Sequence, residues 1–109
     1  MSLSTHVLDT ARGTPAAGVD VLAERAHDGG WVTVGRGTTD GDGRVGELAD
    51  ALVPGTHRVT FAVSTWFADR NTEAFWDDIT ITFVVIDADQ HHHVPLLLSP
   101  YGYSTYRGS

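Results

Sequence analysis

The chain has 109 residues and a formal net charge of −7, from fourteen acidic side chains against seven arginines. That length makes one domain, residues 1–109, able to bury roughly 65% of its unfolded surface, and an acidic chain with no basic stripe disfavours nucleic acid and anionic membranes as partners. With no cysteine there is no disulfide, thiolate nucleophile or zinc–cysteine site, and with no lysine there is no Schiff-base chemistry and no P-loop.

Met1-Ser2-Leu3-Ser4-Thr5-His6 has neither the basic n-region nor the apolar h-region of a secretory signal. No apolar run approaches the roughly 20 residues of a membrane span. The expected location is the cytoplasm. Residues 4–10 alternate as a strand, with Thr5, Val7 and Asp9 on one side and Ser4, His6 and Leu8 on the other. Val7 belongs to the core, so His6 faces away from it. Arg12-Gly13-Thr14-Pro15 breaks the strand with turn chemistry. Residues 19–25 and 31–38 form a hairpin around His27-Asp28-Gly29-Gly30, with Val19, Val21 and Ala23 inward and His27 solvated at the turn.

Thr39-Asp40-Gly41-Asp42-Gly43-Arg44 is a tight acidic loop. A calcium loop beginning at Asp40 would need glutamate at its twelfth position, where this chain has Ala51, so two Asp-Gly turns are the better reading. Arg44 opens a strand that runs to about Leu48. A lone arginine there is ordinarily solvated, unless it projects over a histidine face. Residues 56–65 read as a long strand burying Val59, Phe61 and Val63, with His57 structural or solvent-facing. Residues 65–71 lack a period of two and suit a short helix. Residues 72–78 are a connection whose Phe75 and Trp76 pack on the rim. Residues 79–86 are the clearest strand, with Ile79, Ile81, Phe83 and Val85 inward and Thr80 and Thr82 outward. About eight short strands and one short helix make a two-sheet antiparallel sandwich.

Asp87-Ala88-Asp89-Gln90 then leads into residues 91–109, which hold half of the six histidines and all three tyrosines. The apolar run ends at Ser99-Pro100, a turn dipeptide, and Tyr101, Tyr103 and Tyr106 resume a strand composition. Alternation sets His92, Val94, Leu96 and Leu98 on the core face. It sets His91, His93, Pro95 and Leu97 on the other, with the two imidazoles about 6.5–7 Å apart. If the turn pairs Leu97 with Ser104, then His93, Ser104 and Tyr106 share a sheet surface that is poor as a core and good as a site.

The opening Leu3-Ser4-Thr5-His6-Val7-Leu8-Asp9, the loop Thr39-Asp40-Gly41-Asp42-Gly43-Arg44, the segment His91-x-His93-Val94-Pro95-Leu96 and the ending Tyr103-Ser104-Thr105-Tyr106-Arg107-Gly108-Ser109 together resemble the 5-hydroxyisourate hydrolase branch of the transthyretin-like family. The resemblance runs over essentially the whole chain. It implies an all-β, transthyretin-like antiparallel sandwich of two four-stranded sheets with one short helix. It also implies a homotetramer, a dimer of dimers, with active sites in a central channel at a subunit interface. The implied reaction is hydrolysis of 5-hydroxyisourate at a cyclic amide, with no metal or cofactor. Family catalytic positions fall on His6, Arg44, His93 and Ser109, with Tyr106 and His91 beside the substrate. The departure is His92, where the family commonly has tyrosine; alternation puts it on the opposite face.

Opening a cyclic amide needs an activated water, a stabilised oxyanion and a proton for the departing nitrogen. Two neutral imidazoles, His6 and His93, can divide base and acid roles, and which is the base stays open. Arg44 offers a fork of donors to a planar heterocycle and holds neighbouring imidazoles neutral by its charge. Ser109 brings a hydroxyl and the terminal carboxylate; covalent attack by it is less favoured, since no Ser-His-Asp order is evident. Three other readings stand beside this one. One is a transthyretin-like small-molecule carrier using the same channel, against which polar His6 and His93 and bulky Tyr106 argue. Another is a metal site on His6, His91 and His93. The last is a plain structural sandwich.

Overall fold

The computed structural model describes residues 2–109. Its elements in chain order are β1 (Leu3–Asp9), β2 (Thr14–Pro15), β3 (Asp20–His27), β4 (Gly30–Thr38), β5 (Arg44–Ala49), β6 (Gly55–Phe61), α1 (Val63–Asp69), β7 (Ile79–Val85), β8 (His92–Ser99) and β9 (Gly102–Thr105). They form two sheets, one ordered β2-β1-β8-β9 with β5 also on β1, the other ordered β4-β3-β6-β7. The expected sandwich with one short helix is therefore present. The two-residue β2 brings the first sheet to five strands. It shares one edge of β1 with β5: β5 pairs with Leu3, Thr5 and His6, and β2 with Leu8 and Asp9.

One pairing departs from the antiparallel rule. β1 and β8 run parallel, from Leu3 beside His92 to Asp9 beside Leu98. No hairpin joins these strands, so no turn dictates their direction. The remaining pairs are antiparallel, and the β8–β9 turn sets Leu97 opposite Ser104, which meets the condition set for a shared His93 and Ser104 surface. The β3–β4 turn is the two-residue Asp28-Gly29, with φ of 50° and 77° as a type I′ turn demands.

Alternation determines what is buried. Leu3, Val7, Leu96 and Leu98 from one sheet meet Val21, Ala23, Val59 and Phe61 from the other, all at 3% exposure or less. Each large apolar side chain so enclosed contributes roughly 1.5–3 kcal/mol. The helix starts earlier than the sequence predicts. The strand expected over 56–65 ends at Phe61, and Val63 opens α1, burying with Trp66 and Phe67 as one helical stripe. Val63 suits either period, two residues after Phe61 or three and four before Trp66 and Phe67. Packing of the two aromatics decides, and the Trp66 indole N–H donating to the Ala17 carbonyl at 2.8 Å fixes the helix on the sandwich.

Two histidines belong to the interior. His57 is buried, stacks on Phe83 and donates from Nδ1 to the Gly55 carbonyl at 3.0 Å, a structural role. His92 lies on the core face of β8 and donates from Nδ1 to the Gln90 carbonyl at 2.9 Å. Burial holds the His92 imidazole below its ordinary pKa of 6.5. The sign follows from linkage: a neutral native imidazole adds stability above the unfolded pKa, and that stability is lost as pH falls from about 6.5 through the lowered native value. Thermal midpoints measured against pH should therefore drop in mild acid. The drop should be smaller in His92→Tyr; an equal drop in both proteins would remove His92 as a cause.

Candidate active site

The outward face of the β5–β1–β8 trio carries the candidate residues. His6 on β1 sits opposite Arg44 on β5 and beside Pro95 on β8, and Ser4 sits beside His93. The preceding loop delivers Arg44 to this position. Its Asp40 carboxylate accepts the backbone N–H of Asp42 at 2.9 Å and of Arg44 at 3.0 Å. Those bonds, that of Arg44 foremost, hold the Asp40 pKa below the ordinary carboxylate value, helped by the charges of Arg44 and His6. Gly43, at φ +77°, lies so close to β1 that a Cβ there would be 2.4 Å from the Val7 carbonyl oxygen. Only glycine meets both conditions. The loop is thereby pinned to the strand that carries His6.

His93 is half-buried, and its Nδ1 lies 2.7 Å from the Ser4 hydroxyl. The same hydroxyl lies 2.8 Å from His91 Nε2, and His91 Nδ1 lies 2.6 Å from the Ser2 hydroxyl. Burial, then the positive charges of His6, His91 and Arg44, depress the His93 pKa below 6.5. The ring is therefore neutral at neutral pH, as acid–base work requires. The tail clamps the same residue from the other side: the Gly108 N–H donates to the His93 carbonyl at 2.9 Å, closing a single antiparallel bridge.

Arg44, His91, His93 and Ser109 line one open cleft of about 240 Å³, together with Ser4, Thr5 and Gly46. It is smaller than the roughly 300–1,000 Å³ of pockets for drug-sized ligands, and suits a single small ring system. Arg44 makes no salt bridge among the described residues, which leaves its guanidinium donors for a ligand. His6 stands at the side of this cleft rather than in its lining. Its Nε2–H donates to the Asp42 carbonyl at 2.9 Å, which fixes that nitrogen as a donor and leaves Nδ1 as the position for proton exchange.

Tyr106 is placed elsewhere. It lines a second cavity of about 140 Å³, with Phe83, Val84, His93 and Arg107 among its neighbours, and is 59% exposed. His93 is common to both cavities, so Tyr106 lies beside His93 but apart from the Arg44 cleft. Ser2 and Ser4 were not singled out by sequence reasoning. The signal for Ser4 was its place on the His6 face of the first strand. Among the described residues no group of three or more histidine, aspartate or glutamate side chains is arranged to hold a metal ion.

The model of the HIUase/Transthyretin family matches residues 3–108. The chain belongs to this family. The 5-hydroxyisourate hydrolase of Salmonella typhimurium is 45% identical over 109 residues, covering 98% of this chain and 80% of the relative. The solved 5-hydroxyisourate hydrolase of Klebsiella pneumoniae superimposes with a TM-score of 0.88 at 38% identity, over the full length of both chains. Sea bream transthyretin in complex with thyroxine superimposes with a TM-score of 0.92 at 28% identity, covering 99% of this chain and 95% of that one. This HIUase/transthyretin-family chain thus has the fold of both kinds of relative, and it is nearer in sequence to these two hydrolases than to that transthyretin.

Proposed function

We propose that this chain hydrolyses 5-hydroxyisourate to 2-oxo-4-hydroxy-4-carboxy-5-ureidoimidazoline in urate breakdown, by water attack on a cyclic amide. Its full-length likeness to proteins named 5-hydroxyisourate hydrolase supports the substrate. The observation that carries the chemistry is the single cleft shared by a neutral, half-buried His93, an unpaired Arg44 and Ser109, with His6 at its side. In this reading Arg44 binds the planar, polar ring and its developing oxyanion. His93 and His6 divide the proton transfers, one activating water and the other protonating the departing nitrogen. Ser109 and His91 orient the substrate. Tyr106 acts from the far side of His93. No step requires a metal.

The working unit is read as a homotetramer, a dimer of dimers, in the cytoplasm. The free edges β7 and β9, with Val84 62% and Tyr103 41% exposed, support pairing with further copies. Among the described residues no helix is long and apolar enough to cross a membrane.

The direct test is the decay of 5-hydroxyisourate absorbance with and without protein, corrected for spontaneous decay. Acceleration that survives exhaustive chelation is the expected result; the uncorrected background rate would end the proposal. The pH dependence adds a sign. Because His93 titrates below 6.5, its protonation should reduce kcat/KM only on the acid side of that value. A fall beginning above pH 6.5 would assign the essential base to another group.

A further inference from the structure

Four side chains join end to end along the cleft wall: Ser2 Oγ to His91 Nδ1 at 2.6 Å, His91 Nε2 to Ser4 Oγ at 2.8 Å, and Ser4 Oγ to His93 Nδ1 at 2.7 Å. Each serine hydroxyl has one hydrogen, and each neutral imidazole has one N–H and one lone pair. The row therefore has two self-consistent patterns. In one, Ser2 donates to His91, His91 to Ser4, and Ser4 to His93 Nδ1; the free His93 Nε2 then carries a hydrogen. In the other, His93 Nδ1–H donates to Ser4, Ser4 to His91, and His91 to Ser2; His93 Nε2 then carries the lone pair. The first pattern makes His93 an acid toward the cleft, the second a base.

The geometry points to a proton relay running from His93 through Ser4 and His91 to Ser2, which lets His93 take a proton from water without becoming a cation and so switch from its base to its acid form. This deepens the hydrolase reading and rests on it. The steps balance. His93 Nε2 takes a proton from the attacking water. Its Nδ1 proton passes to Ser4 Oγ as the Ser4 proton passes to His91 Nε2. The His91 Nδ1 proton passes to Ser2 Oγ, whose own proton goes to solvent. One N–H or O–H bond forms for each that breaks, every member ends neutral, and the row is left in its first pattern. Once product leaves, the Nε2 proton passes to water in the cleft as a solvent proton enters at Ser2 and the row runs back, restoring the second pattern.

The position of the row favours this role. Ser4 is 8% exposed, so its hydroxyl is kept for the two rings, whereas the Ser2–His91 end is open to water. The groups facing His93 are His6 on β1, Arg44 on β5 and its own neighbour His91, with Asp40 in the loop beside Arg44 and His6. Arg44 brings a fixed positive charge, which disfavours leaving a second proton on the ring. Ser4 and His91 are in this sense positioning residues that act through His93.

The test compares the whole protein with Ser4→Ala, Ser4→Thr and His91→Ala. Ser4→Ala and His91→Ala should each lower kcat by roughly 10–100-fold, Ser4→Ala with little change in KM and His91→Ala with a rise in KM from its lost substrate contact, below the full cost of losing an acid–base group. The double variant should lose no more than either single one, because both break the same path. Ser4→Thr keeps the hydroxyl and should recover most of the rate. Proton inventories in mixed H₂O and D₂O should curve for the wild type and become linear in Ser4→Ala. Wild-type kcat with an unchanged inventory in His91→Ala, whose exposed side chain makes misfolding no excuse, overturns the relay. A reading independent of turnover is the ¹⁵N shift of the His93 ring, averaged between tautomers in the wild type and fixed in one in Ser4→Ala. If the wild type fails to speed 5-hydroxyisourate decay, the hydrolase reading falls, and the ring shifts still decide whether the relay exists.

Discussion

Replacing His93 with alanine should lower kcat/KM for 5-hydroxyisourate by roughly 10²–10⁴-fold, the range for one general acid–base group. The fold should survive. The side chain is half-buried on the outward face of β8, and the bridge to Gly108 uses the His93 carbonyl, which alanine keeps. The buried Leu3, Val7, Leu96 and Leu98 point to the opposite face of the sheet. Circular dichroism should be native, and the thermal midpoint should move by a few degrees at most, as for a single change outside the core. Retained activity in a folded His93→Ala protein would falsify the assignment. Unfolding of that variant would instead show that the ring supports the sheet.

Gly108→Ala should cost about 100-fold, although residue 108 bears no functional group. A Cβ there would stand 2.3 Å from His93 Cδ2 and 3.0 Å from Cγ. The Gly108 backbone is held to His93 by the 2.9 Å hydrogen bond, so the ring is the part that yields. Turning it aside breaks the 2.7 Å contact to Ser4 Oγ and moves the reactive nitrogen. A displacement of about 1 Å is enough for a 10²-fold loss when geometry is the source of rate. The loss should fall on kcat, and a structure of the variant should show His93 in a new rotamer. Wild-type kcat would mean that the tail moves instead and that its clamp is unimportant.

These cases show where sequence reasoning succeeds and stops. Period-two alternation gave the faces of β1 and β8 correctly, because side-chain direction is a local property of a strand. It therefore separated buried His92 from His93 and put Ser4 with His6. Alternation says nothing about which strand lies alongside, and so the parallel β1–β8 pairing was not legible. The Ser4 link to His91 and His93 follows from that pairing and was missed with it. Tyr106 lies apart from the Arg44 cleft for a related reason: β9 ends at Thr105, so strand alternation no longer governs the next residue. The α1 boundary was ambiguous because Val63 satisfies both periods, and burial of Trp66 and Phe67 settled it.

The parallel pairing of β1 with β8 has a consequence for how the protein is made. Ser4 and His93 are 89 positions apart, so an emerging polypeptide has completed nearly all other contacts before this pair can close. Such long closures are slow and leave unpaired strand edges exposed meanwhile. During synthesis β1 must wait at the ribosome surface, with only β2 and β5 beside it. Catalytic competence should then appear as a late event, after the bulk of the strand signal, and refolding followed by turnover should lag behind refolding followed by circular dichroism.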